Sequence, residues 1–190
     1  MIEVVAERIV AAPPETVWPL VSEPEQLPSW FGFADRIEVL EGDGAGQKRR
    51  QHGHWGKKPS EVDQELTAYE PPKRLAWRHL AERLNGKPAP RFAESTDFSI
   101  ELIPEDGGTR VRLTSAQVPA SRAKGVVMKA FGRREIEDRL RSSLESFDYF
   151  GAAMQRGAST CIRKPFSPRQ LIEAIDSCVA APSLARAVLQ

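Results

Sequence analysis

The run from Ser121 to Met154 carries the longest single helical period in the chain. Ile136, Leu140, Leu144, Phe147, Gly151 and Met154 recur at steps of three and four and so share one face, with Ser143 beside them. Arg133, Arg134, Glu137, Asp138, Arg141 and Glu145 fill the other faces. Ser121, soon after Pro119, stands where an N-cap belongs. A helix of about thirty residues is roughly 45 Å long. Its apolar stripe needs a large partner surface, and that surface must come from upstream.

The upstream text reads as strands. Ile2 to Ala11 is rich in Val and Ile and stops at Ala12-Pro13-Pro14. Pro14, Glu15 and Thr16 open a short helix with Val17, Trp18, Leu20 and Val21 as its apolar face. Ser22-Glu23-Pro24 breaks it, and Glu25 to Trp30 forms a second short helix or turn. From Asp35 the period changes to two. Ile37 and Val39 begin it, and Gln47 to Trp55 continues as a polar strand. Val62, Gln64 and Leu66 follow, then Leu75, Trp77, His79 and Ala81, then Thr96, Phe98, Ile100 and Leu102, then Val111, Leu113 and Ser115. Turn residues separate them at Gly42-Asp43-Gly44-Ala45-Gly46, Gly56-Lys57-Lys58-Pro59, Pro71-Pro72, Asn85-Gly86-Lys87-Pro88 and Asp106-Gly107-Gly108. Hairpin-type turns make the sheet antiparallel. The expected fold is therefore α+β: a curved antiparallel sheet of about seven strands wrapped around the long C-terminal helix, with two short helices after the first strand and a cavity between sheet and helix.

Composition narrows the partners. The chain has 190 residues, is 41% hydrophobic and carries a net charge of +1 from 27 basic and 26 acidic residues. It has enough apolar material for a real core and no field to attract nucleic acid or an anionic membrane. Lys48-Arg49-Arg50 and Arg133-Arg134 read as solvated faces. Cys161 and Cys178 sit in no metal-ligand spacing and read as reduced thiols. Met1-Ile2-Glu3-Val4 shows no leader pattern, and no apolar run is long enough to span a bilayer, so a cytoplasmic location is expected.

Several motifs, in order, resemble the START-like, polyketide cyclase/dehydrase (SRPBCC) helix-grip superfamily. They are Ala12-Pro13-Pro14-Glu15-Thr16-Val17-Trp18, Leu27-Pro28-Ser29-Trp30, Tyr69-Glu70-Pro71-Pro72-Lys73-Arg74-Leu75-Ala76-Trp77 and Gly107-Gly108-Thr109-Arg110-Val111. The resemblance covers about residues 1–154. It implies a helix-grip fold with an internal cavity for lipids, steroids or polyketides, cyclisation or dehydration in some members, and a co-chaperone-like role in others. It brings no universal catalytic motif and no cofactor. Residues 1–154 are thus expected to be a ligand-binding domain and 155–190 a helical tail. In that tail, Gly157 to Pro168, with Lys164-Pro165, and the following Leu171-Ile172-Glu173-Ala174-Ile175 resemble the end of a response-regulator receiver domain. The preceding strands and acidic residues of a receiver are missing, so Lys164 is given no phosphoryl role.

Alternation nominates the pocket residues. If Leu75 and Trp77 point inward, so does His79, and on the neighbouring strand Phe98 and Thr96 bring Glu94 with them. A His79–Glu94 pair in an apolar space is suited to general acid–base work, while a satisfied interior or rim histidine explains His79 equally well. Trp30, Phe31, Phe33, Leu66, Trp77, Thr96, Phe98, Leu113, Val127 and Phe131 complete the expected wall, with Trp30-Phe31-Gly32-Phe33 as a gate beside a glycine. Gly125 and Gly132 soften the start of the long helix. His52 and His54 share a strand face flanked by cations, which disfavours a metal, so no metal site is expected.

Three functions fit: a carrier or sensor of a hydrophobic small molecule, a cyclase/dehydrase-type enzyme using His79, and a protein-binding module like the heat-shock-ATPase activators. The first two need a hollow interior, and the third needs a filled one with an exposed apolar patch. No cofactor is expected, a homodimer is compatible with the sequence, and the oligomeric state is left undetermined.

Overall fold

The computed structural model describes residues 1–155, and residues 131 and 148–155 by their backbone only. The tail from 156 on, with its receiver-like stretch, Cys161 and Cys178, lies outside the described residues.

The order is β1 (Ile2–Val10), α1 (Pro14–Ser22), α2 (Leu27–Trp30), β2 (Arg36–Glu41), β3 (Lys48–Trp55), β4 (Lys58–Glu70), β5 (Arg74–Leu84), β6 (Lys87–Pro88), β7 (Ala93–Glu105), β8 (Gly108–Pro119), α3 (Arg122–Val127) and α4 (Arg133–Gln155). A π-helical turn, Met128–Gly132, joins α3 to α4. The strands form one eight-stranded sheet in the order β1-β8-β7-β5-β4-β3-β2, with the two-residue β6 paired to β5. Every pairing is antiparallel. The fold class is the one expected. The extra strand is β6, where Lys87 and Pro88 pair with Leu84 and Arg83 beyond the turn glycine.

Pro at the first position and Glu15 in the first turn start α1, and Val17, Leu20 and Val21 bury its inner face. The Trp30 indole N–H donates to the Leu20 carbonyl at 2.8 Å and locks α2 to α1. Ser121 is the N-cap of α3, its Oγ accepting from the Lys124 N–H at 3.2 Å. The long run expected as one helix is interrupted by the π turn, which re-phases the face downstream of Met128. Ile136, Leu140, Leu144 and Phe147 then share the buried stripe of α4. They pack with Val4, Leu20, Trp30, Leu75, Ile100, Leu102, Val111 and Leu113 in one apolar cluster. Burying each such side chain contributes roughly 1.5–3 kcal/mol.

Ser143 is buried on α4 and accepts from the Gly32 N–H at 2.8 Å. That bond ties the segment after α2 to the helix. Trp30 and Phe31 are buried beside it, at 0% and 1% exposure. The Trp30–Phe33 segment is thus held to both α1 and α4. Gly53 faces it from β3, where a Cβ would lie 2.5 Å from the Phe33 carbonyl oxygen. Only glycine lets the segment pass this close to the strand.

Candidate ligand pocket

The sheet register stacks the inward residues in layers. Leu75 pairs with Ile100 and Ile100 with Leu113. One step along, Leu66 pairs with Trp77, Trp77 with Phe98, and Phe98 with Ser115. One step further come Arg49 opposite Gln64, Gln64 opposite His79, and Thr96 opposite Gln117. The strands thus run from an aliphatic end to an aromatic and then a polar end.

The interior opens at the aromatic and polar end. A pocket of about 390 Å³ lies there. Phe31, Phe33, Trp77 and Phe98 form one side, and Val127, Met128, Gly132, Ile136 and Arg139 close it from the helix. Val62, Leu84 and Phe92 add apolar surface, while Gln51, His79, Glu82, Thr96, Ser115 and Gln117 supply polar groups. Trp77 and Phe98 are stacked, with centroids 4.7 Å apart and planes at 18°. Phe31 meets both edge-on at 5.8 and 5.2 Å. Such a cluster is rigid and broad-faced. Arg139 bridges helix and sheet: its guanidinium lies over Trp55 at 4.6 Å and donates to the His54 carbonyl at 3.2 Å.

Of the expected wall, Phe31, Phe33, Trp77, His79, Thr96, Phe98 and Val127 lie on the pocket. Trp30, Leu66 and Leu113 are instead buried in the apolar cluster behind it. The Phe131 side chain lies outside the described residues.

The expected His79–Glu94 pair does not form. Glu94 is the extra residue of a bulge between Ala93 and Ser95, so the alternation that carried Thr96 inward stops before it, and Glu94 is exposed. A second bulge has the opposite result. Asp63 pairs with Ala81 and Gln64 with His79, which leaves Leu80 as the extra residue of β5. The parity flips there, and Glu82, opposite the inward Val62, joins the face of His79. His79 Nδ1 lies 2.7 Å from Glu82 Oε1. The His79 hydrogen bond holds the Glu82 carboxyl below the usual carboxylate range.

Arg49 corrects a second expectation. Strand periodicity splits the basic triplet that read as one solvated face. Lys48 reaches Glu41 at 2.9 Å and Arg50 reaches Asp63 at 2.6 Å, both on the outer side. Arg49 turns inward and is 1% exposed. Its Nε donates to Gln64 at 2.9 Å, Gln64 donates to Gln51 at 3.0 Å, and Gln51 donates to the Phe33 carbonyl at 2.8 Å. The guanidinium lies over Trp77 at 4.6 Å. Burial pushes Arg49 down to about 10, which leaves it a cation at neutral pH. Inward parity was the available signal for Arg49 and Gln51, once β3 is placed between β2 and β4 in the sheet.

The three histidines do not converge. His52 lies 2.9 Å from Glu38 on the outer side, His54 lies 2.6 Å from Asp35, and His79 meets Glu82. Among the described residues no group of three His, Cys, Asp or Glu side chains gathers to hold a metal ion. No described helix is long and apolar enough to cross a membrane.

A sheet gripping one long helix, with a pocket at one end of the grip, defines the helix-grip class. The chain belongs to the polyketide cyclase / dehydrase and lipid transport family, which matches residues 1–148. Solved structures share the fold. The crystal structure of TTHA0849 from Thermus thermophilus is 21% identical with a TM-score of 0.63, covering 80% of this chain and 99% of that one. Protein MLL2253 from Mesorhizobium loti is 21% identical with a TM-score of 0.57, covering 83% of this chain and 99% of that one. Ara h 8.0201 is 16% identical with a TM-score of 0.55, covering 80% and 98%. Comparison with curated proteins gave no match.

Proposed function

We propose that residues 1–154 bind a hydrophobic small molecule, a lipid, polyketide or aromatic compound, in the pocket between sheet and helix. The observation that carries this reading is the pocket of about 390 Å³ floored by the stacked Trp77 and Phe98. Ligand sites of this kind run from about 300 to 1,000 Å³, mostly apolar with a few placed polar groups. Family membership supports the same reading. A protein-binding activator would have its interior filled, and this pocket speaks against that role. The test is native mass spectrometry of freshly purified full-length protein, beside a Ser115→Phe variant that fills the pocket from β8. The reading predicts a co-purifying hydrophobic compound that the variant loses while it keeps its fold. Wild-type protein that carries nothing and takes up no lipid or aromatic probe contradicts it.

One observation favours a second reading, turnover of the cyclase or dehydrase kind. His79 and Glu82 sit 2.7 Å apart on the pocket wall, so a carboxylate orients an imidazole toward an apolar space. His79 is the general acid–base in that reading, and Glu94 has no part in it. His79→Gln then lowers turnover of a polyketide substrate by about 100-fold or more with ligand affinity kept. A carrier has no turnover to lose.

A further inference from the structure

The polar side chains around the pocket divide into two sets. The charged ones are answered. His79 lies 2.7 Å from Glu82, Arg83 donates to Asp63 at 2.7 Å, Arg139 donates to Glu135 at 3.0 Å and His54 lies 2.6 Å from Asp35. The neutral ones on the β7–β8 wall are not. Thr96 and Ser115 are buried, at 7% and 4% exposure, Gln117 is half-buried, and all three line the pocket. Among the described residues no hydrogen bond reaches the Thr96 or Ser115 hydroxyl or the Gln117 side-chain amide. Neither hydroxyl is sealed off. The enclosed side-chain atoms that lack a partner are Arg49 Nη2, Trp77 Nε1, Arg83 Nη1 and Arg110 Nε, none of them on this wall. The register gathers the three free groups. Thr96 pairs with Gln117 and Phe98 with Ser115. A direct cross-strand pair stands roughly 5 Å apart and a diagonal one roughly 7 Å, so Thr96 has Gln117 beside it and Ser115 across the diagonal. Buried polar groups nearly always have a partner. Three without one, on a single pocket wall, mark a place for a partner from outside the chain.

We propose that Thr96, Ser115 and Gln117 form a polar subsite that holds one uncharged oxygen of the guest, a ketone or hydroxyl, while its apolar body lies against Phe98 and Trp77. A ketone oxygen accepts twice, and both hydroxyls and the amide N–H can donate. A carboxylate would be a poorer guest, because every charged group lining the pocket is already paired and its charge would stay unanswered in an apolar space. A plain hydrocarbon would desolvate the three groups without replacing their hydrogen bonds. The inference rests on the pocket being a ligand site and adds the residues that select its guest.

The test uses the full chain and three probes on one ring system, 2-acetylnaphthalene, 2-ethylnaphthalene and 2-naphthoate, titrated by calorimetry at pH 7.5. In the wild-type protein the ketone is expected to bind at least as tightly as the hydrocarbon, although it is the more water-soluble, and at least about tenfold tighter than the carboxylate. Thr96→Val combined with Ser115→Ala removes both hydroxyls at nearly constant volume. It should weaken the ketone about tenfold with hydrocarbon binding kept. Ketone affinity that survives the double change overturns the subsite, and so does a carboxylate that binds as well as the ketone. Either result leaves the pocket reading standing. Binding of none of the three probes overturns both. Should the double variant not fold, Gln117→Leu supplies the second variant, with ketone binding expected to fall about threefold and an unchanged affinity counting against the subsite.

Discussion

The two ends of the interior are built on the same strands and do opposite things. Along β7 the inward residues run Leu102, Ile100, Phe98, Thr96, and along the neighbouring β8 they run Val111, Leu113, Ser115, Gln117. Where Leu102 meets Val111 and Ile100 meets Leu113, Leu140, Leu144 and Phe147 of α4 are buried with them in one apolar cluster. Where Phe98 meets Ser115 and Thr96 meets Gln117, the helix side is Val127, Met128 and Ile136, and a pocket stays open. Ser115 and Gln117 of β8 and Met128 and Gly132 of the π turn border that pocket. The filled end carries the stability, and the open end is free to take a guest.

The largest difference should appear on truncation. Leu140→Ala, in the filled end and fully buried, is expected to lower unfolding free energy by about 3 kcal/mol in urea denaturation. Ser115→Ala, at the open end, should stay within about 0.5 kcal/mol. Similar costs at both sites would erase the distinction. The next effect is Gly53→Ala, which forces a Cβ toward the Phe33 carbonyl. It is expected to cost about 2 kcal/mol and to weaken probe binding, because Phe33 is part of the wall. A neutral result would mean that the segment is free to move away.

The smallest effect lies outside both ends. Asp63 is bonded to Arg50 at 2.6 Å and Arg83 at 2.7 Å, and these partners hold its carboxyl down from 3.8 to about 2. A depressed folded value means that the pair stabilises above about pH 4 and loses that contribution as pH falls toward 2. Asp63→Asn should cost about 1 kcal/mol at pH 7 and progressively less as pH falls from 4 through 2, read from thermal melts across that range. A cost independent of pH would place the role of Asp63 in packing.

Alternation alone located most of the sheet. Leu75, Trp77, Phe98, Ile100 and Leu113 read as inward from period two, and the register puts them so. The same rule failed at bulges. One inserted residue at Glu94 takes that carboxylate out of the pocket, and one at Leu80 brings Glu82 in, and no local sequence signal marks either. The long amphipathic run was legible as a helix but not its π turn, since Gly125 and Gly132 announce weakness without saying how the backbone uses it. Arg49 was hidden by its neighbours. Between Lys48 and Arg50 it looks like part of a charged face, and only the placement of β3 within the sheet separates it from them.

Methyl NMR of the full-length protein with a hydrophobic ketone added would test the open-end account most directly. The account predicts shifts at Val62, Val127, Met128 and Ile136, with Leu102, Leu113, Leu140 and Leu144 unmoved. Shifts spread evenly through both groups, or confined to neither, would contradict it.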